Sequence, residues 1–210
     1  VLTDWRVWAL AMAYALSFGM EITFDNVAAL HFVDNFGVDQ KNAGFLAGLF
    51  GFMNIFARAL GGIFADKIGK KKGLSGKGWL LAIFLVVEGL GLVWFANSSS
   101  LVFAISSMLF FALFLKMANG ANYALTPFIN SKNVGLVAGI VGAGGNIGGM
   151  AMGFLFKSEN ISYGEAFQYI GFFAIGVGLV IAITKFEVKG FFNGFLKNEI
   201  AETKLKEAVI

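Results

Sequence analysis

The chain has 210 residues, 58% of them apolar and only 14% charged, with a formal net charge of +3 and a mean hydropathy of +0.76. Soluble domains carry about 25% charged residues, so the composition excludes a soluble globule, and the small basic excess, lying mostly between apolar stretches, argues against nucleic acid as a partner. With no Cys and one His, disulfide, thiolate and His-cluster metal chemistry are excluded too, and no cofactor is expected.

The first residues, VLTDWRVW, show neither Met nor a signal-peptide pattern, and the expectation is a fragment of a longer protein. Apolar stretches near the ~20 residues that cross a hydrocarbon core fall at 7–31, 43–65, 79–96, 101–128, 134–156 and 166–184. Transmembrane β-strands need runs of only about ten residues. The sequence therefore predicts an all-α membrane protein with six transmembrane helices, residues 1–185 forming one membrane domain and 186–210 a cytoplasmic tail.

Four ionisable groups are read as standing inside spans, Glu21, Asp25, Arg58 and Lys116. Each costs about 2.5–3.5 kcal/mol at a bilayer centre and asks for a reason. In the first span Tyr14, Phe18, Glu21 and Asp25 recur at helical spacing on one face, aromatic then acidic. Such a stripe suits a cavity lining, although acids near the outer end can also reach water. His31 closes the span and is a further protonatable candidate.

The second span holds Arg58, with Asn54 one turn before it and Gly61 and Gly62 one turn after. A guanidinium is a planar fork of donors suited to a planar oxyanion. The alternative is a structural ion pair with Glu21 or Asp25, and the two could alternate in a transport cycle. Asp66 and the lysine-rich loop through Lys77 end this span. In the fourth span Lys116 can snorkel, pair with an acid or add to a positive cavity. The fifth places Gly135, Gly139, Gly142, Asn146, Gly149 and Gly153 on one narrow face, a surface made for close packing against a partner.

Alternating the connectors across the bilayer gathers twelve of the sixteen basic residues on one side, against Lys41 and Lys157 on the other. The positive-inside rule then puts both ends of this chain in the cytoplasm. No nucleophile with a base, His pair or clustered carboxylate motif is visible, so an enzyme is not expected.

The segments GAGGNIGG at 142–149 and FARALGGIFADKIGKKKG at 56–73 resemble, respectively, a nitrate-signature segment and a cytoplasmic loop motif of the nitrate/nitrite porters, a branch of the major facilitator superfamily. The resemblance covers all but the end of the tail and implies the C-terminal half of a major facilitator bundle, an integral protein of the plasma (cell inner) membrane. By it, Arg58 is one of two substrate-binding arginines, Tyr14 and Phe18 line the nitrate site, and Gly142, Gly144, Gly145 and Asn146 lie on the signature segment. Asp66 becomes a gating latch that pairs with a neighbouring helix in one state. The stretch GMEITFDN looks like the uptake branch, which implies proton symport with Glu21 and Asp25 as coupling candidates. The partners implied are nitrate or nitrite, membrane lipid, and the N-terminal half of the same transporter, which carries the other arginine.

Overall fold

The computed structural model describes residues 1–187, so most of the expected tail lies outside the described residues. Among these, helices account for all regular structure. Helix α1 (Trp5–Phe36) starts at Asp4, whose carboxylate accepts the Arg6 backbone N–H at 3.0 Å and pairs with the Arg6 guanidinium at 2.7 Å. Those contacts hold the Asp4 carboxyl below the usual carboxylate range, the side-chain bond contributing most. The helix ends at Gly37, where φ is +62°, a left-handed cap that glycine adopts at no steric cost.

Helix α2 (Gln40–Phe52) is capped by Asp39, and after a one-residue interruption at Met53 the chain continues as α3 (Asn54–Ala96). This corrects the expected loop between 65 and 79. The chain is helical on both sides of a single turn residue, Gly73, with φ 67° and ψ −160°. Lysines are good helix formers, so the polar run extends the helices beyond the apolar boundary. Lys77 reaches back to Asp66 at 2.6 Å, which makes 54–72 and 74–96 the antiparallel arms of a hairpin.

Five helical stretches are long and apolar enough to cross a membrane, one of them the 57 residues of Gln40–Ala96. At 1.5 Å per residue that one would run roughly 85 Å, nearly three times a hydrocarbon core of ~30 Å. Divided at Gly73, it supplies two spans, and the count becomes six. Arg6 Nη1 donates to the Glu187 carbonyl oxygen at 2.8 Å, so both ends of the described chain meet on one side, as an even number of crossings requires.

Helix α4 (Leu101–Leu125) begins at a Ser100 cap, α5 (Val134–Phe156) follows a short 3-10 turn, and α6 (Tyr163–Ile183) opens on a capping box of Ser162 and Glu165. Small residues set the crossings, because lipid supplies no hydrophobic drive between helices and close backbone contact must replace it. Helix α1 meets α5 where a Cβ on Gly148 would stand 2.6 Å from the Ala15 carbonyl carbon, and one on Gly144 2.7 Å from the Ala11 oxygen. The second arm of α3 meets α6 where Gly89 and Gly171 face each other in the same way.

The expected glycine face of α5 is only partly the packing face. A Cβ added at Gly135, Gly139 or Gly153 would meet nothing within 4 Å, while Gly144 and Gly148 carry the α1 contact. The stripe is offset by a fraction of a turn from the seam, which leaves it open among the described residues.

Candidate anion site

A second glycine crossing brings the charged residues together. A Cβ on Gly61 would lie 2.6 Å from the Met117 Cα, and one on Gly120 2.9 Å from the Gly62 nitrogen. The first arm of α3 and helix α4 therefore touch backbone to backbone, which sets Asn54 and Arg58 beside Lys116 and Asn119. From the opposite side α1 inserts Glu21, buried at 4% exposure.

Glu21 is the hub. Its Oε2 accepts from Arg58 Nη2 at 2.8 Å and from Asn119 Nδ2 at 2.7 Å, and its Oε1 accepts from Lys116 Nζ at 3.2 Å and from Asn54 Nδ2. Both oxygens act only as acceptors, two of the four donors being cations. Lys116, fully buried, also lies over the Phe50 ring with Nζ 4.2 Å from its centroid. Of the readings left open for this lysine, pairing with an acid is the one observed. Arg58 and Lys116 against Glu21 give the cluster one net positive charge.

Arg58 is not used up by this pair. Its side chain is 38% exposed, its guanidinium carbon lies 5.6 Å from the Phe18 ring centroid, and its buried Nε has no hydrogen-bond partner, nor has Asn54 Oδ1. A planar donor is thus held by one nitrogen and left with unsatisfied capacity beside an aromatic face, the arrangement a small oxyanion can complete.

Phe18 continues into an aromatic wall. Tyr14 and Phe18 stack with centroids 4.9 Å apart and planes within 5°, and Tyr123 from α4 meets Tyr14 edge-on at 5.0 Å. Gly145 permits the wall, since a Cβ there would stand 2.7 Å from a ring carbon of each of Tyr14 and Phe18. Gly142 borders the Tyr123 hydroxyl, 3.4 Å from where its Cβ would lie. The structure therefore gathers Arg58, Phe18, Tyr14, Gly145 and Gly142 into one cluster, with Glu21 and Lys116 beside it.

Other expected residues stand apart. Gly144 lies in the α1–α5 seam against Ala11. Asn146 is exposed and donates from Nδ2 to the Gly142 carbonyl of its own helix at 3.1 Å. Asp25 is exposed and forms no ion pair among the described residues. His31 sits in a separate cage of Phe36, Phe95, Phe167 and Tyr163, with Asn35 Nδ2 3.1 Å from its Nδ1. Asp66 is at the lysine-rich end, and its partner Lys77, assigned from sequence to a basic loop, is instead buried, donating also to the Ala124 carbonyl at 2.8 Å and lying over Phe128.

Sequence reasoning missed four residues. Glu88, fully buried with both oxygens unpartnered, is a fifth ionisable group within a span, and its lone charge in WLLAIFLVVEGLGLVWFA was signal enough. Asn119 and Tyr123 follow Lys116 at helical spacings of three and seven, so one polar stripe on α4 was readable. Lys77 carried no such signal, because its burial comes from the hairpin.

Comparison with known proteins shows the family. The Major Facilitator Superfamily profile matches residues 10–203. The chain is 35% identical over 196 residues to "Nitrate transporter 2.2" of Chlamydomonas reinhardtii, covering 90% of this chain and 38% of that protein. It is 30% identical over 207 residues to "Nitrate/nitrite transporter NrtP" of Nostoc punctiforme, covering 97% and 40%, and 34% identical over 180 residues to "Elsinochrome transporter 1" of Elsinoe fawcettii, covering 82% and 34%. The chain thus spans 34–40% of these relatives' own length. No solved structure gives a significant match. With six apolar spans, a buried ionic hub and a profile match along nearly its whole length, the chain belongs to the Major Facilitator Superfamily.

Proposed function

We propose that this chain supplies half of the substrate path of a nitrate or nitrite transporter that works by alternating access and drives uptake with protons. The observation that carries the reading is Arg58, tethered to Glu21 through one nitrogen while its Nε has no partner and its face lies by Phe18. Nitrate is planar, singly charged and weakly basic, so it suits a guanidinium fork and flanking aromatic rings better than a compact ammonium.

Nitrate then binds Arg58 beside the stacked Phe18 and Tyr14 rings, and the cluster's single positive charge is neutralised by the anion. Glu21 is the resident counter-charge that holds Arg58 when the site is empty. On α5, Gly145 serves the site by admitting the rings and Gly142 by bordering Tyr123, while Gly144 acts from the seam by fixing the helix against α1 and Asn146 stays on the exposed side of the same signature segment. The open glycine stripe of α5 faces the other half of the transporter, against which this half rocks. Asp66 with Lys77 clasps the lysine-rich end in one state. Glu21 and Asp25 are the coupling candidates on α1, and of these Glu21 touches Arg58. Both ends of this chain lie in the cytoplasm of a cell whose plasma membrane it crosses.

Fold alone does not choose the cargo. Uptake of labelled nitrate by the full-length transporter, challenged with nitrite, chlorate and organic anions, tests the substrate class. Competition confined to small planar or trigonal oxyanions is expected. Nitrate uptake that only bulky organic anions suppress contradicts the proposal.

A further inference from the structure

The carboxyl of Glu88 is the one fully buried ionisable group among the described residues that the anion site does not use. It lies within the second arm of α3, at 0% exposure, and neither oxygen has a hydrogen-bond partner. A buried carboxylate without donors or a counter-charge is among the costliest groups a protein can hold.

The charged neighbours are few. From α1, Glu21 is an acid engaged by Arg58, Lys116 and Asn119, and Asp25 is an exposed acid. From α4 the only cation is Lys116, which is engaged by Glu21 and Phe50, and Arg58 on the first arm of α3 is likewise held by Glu21. Helix α5 carries no ionisable side chain, and the ones on α6, Tyr163, Glu165 and Tyr169, all stand in its first two turns, with Glu165 and Tyr169 exposed. Among the described residues, none offers Glu88 a free cation.

Charge arithmetic then links Glu88 to the anion. With Glu88 neutral, Arg58, Lys116 and Glu21 sum to +1, and one nitrate brings the site to zero. With Glu88 ionised, the four groups already sum to zero, and the attraction the cluster offers an anion is weakened. We infer that Glu88 is the residue that carries the coupled proton, its neutral form creating the net positive charge that nitrate binding at Arg58 requires. This rests on the nitrate-transport reading and goes beyond it by moving the proton from α1 to α3, leaving Glu21 as a permanent counter-charge. From the outer side a proton adds to the Glu88 carboxylate to give the neutral acid and nitrate joins Arg58; on the inner side nitrate leaves and the acid returns its proton to water. One proton moves with one anion, and by reciprocity each strengthens the binding of the other.

The test uses the full-length transporter in proteoliposomes, with Glu88→Gln as a neutral isostere. Strict one-proton linkage makes the apparent nitrate affinity of the wild type fall about tenfold per pH unit above the titration of the carrier. Glu88→Gln is expected to show no such slope and no nitrate-driven proton influx while still exchanging labelled for unlabelled nitrate. Wild-type slope and proton influx in Glu88→Gln overturn the assignment to Glu88. Should Glu88→Gln fail to assemble, difference infrared spectroscopy of the wild type serves instead, where nitrate is expected to perturb a protonated carboxyl band; the absence of any such band overturns it equally. Lack of nitrate exchange by the wild type itself instead defeats the transport reading beneath it.

Discussion

Replacing Glu21 by Gln removes the negative charge from a hub that two cations share. Lys116 is fully buried and its Nζ lies 3.2 Å from Oε1, whereas Arg58 keeps 38% exposure and can rehydrate. Lys116 therefore dominates the cost, and stripping one partner from a buried pair costs about 3–5 kcal/mol, while the Arg58 contribution is discounted towards the ~1 kcal/mol or less of a wet pair. Glutamine can still accept on one oxygen, but its amide N–H₂ points at donors that formerly met a carboxylate. Thermal unfolding of the full-length transporter in detergent, followed by tryptophan fluorescence, measures the loss. The double variant Glu21→Gln/Lys116→Met removes the orphaned ammonium and is expected to recover most of the stability lost by the single one. A single variant within about 1 kcal/mol of the wild type, or a double variant less stable than the single, refutes the view that Glu21 and Lys116 compensate each other.

At the α1–α5 seam, Gly148→Val would drive a branched side chain into the Ala15 backbone, where even a Cβ stands 2.6 Å from the carbonyl carbon. A loss at or above the ~1–3 kcal/mol of ordinary overpacking is expected, read as reduced thermal stability, while Gly139→Val on the open stripe leaves this half unstrained and acts only on assembly with the other half. At the lysine-rich end, Lys77→Met keeps the buried stem but removes the bonds to Asp66 and Ala124. Accessibility of a cysteine introduced at position 70, an exposed site one turn beyond Asp66, to a membrane-impermeant thiol reagent is then expected to lose its dependence on nitrate, and an unchanged dependence removes Asp66 and Lys77 from gating.

The six spans were legible because hydropathy over about twenty residues is a local property. The hairpin at Gly73 was not: KIGKKKGLSGKG has a loop's composition, yet lysines prolong helices outside the bilayer, and one glycine with positive φ suffices to turn the chain. Arg58 and the Tyr14–Phe18 stripe were readable from mid-span position and helical spacing. Pairing was not, since the bonds from Glu21 to Lys116 and Asn119 cross 95 and 98 residues of sequence and depend on the glycine crossing at Gly61 and Gly120. The glycine count of α5 was conspicuous, but only contacts separate Gly144 and Gly148, which touch α1, from Gly135 and Gly139, which remain open. Glu88 is a different case: its charge was legible in the eighteen residues of 79–96, but its burial without a hydrogen-bond partner is a property of the packed fold.

The central claim is that the Arg58 fork binds the transported anion. Nitrate uptake by the full-length transporter carrying Arg58→Lys, with membrane abundance measured in parallel, tests it most directly, because lysine keeps the charge and the pairing with Glu21 but loses the planar donors. Normal abundance is predicted, with uptake reduced by at least tenfold, equivalent to about 1.4 kcal/mol of lost anion stabilisation. Near-normal uptake at normal abundance contradicts the claim.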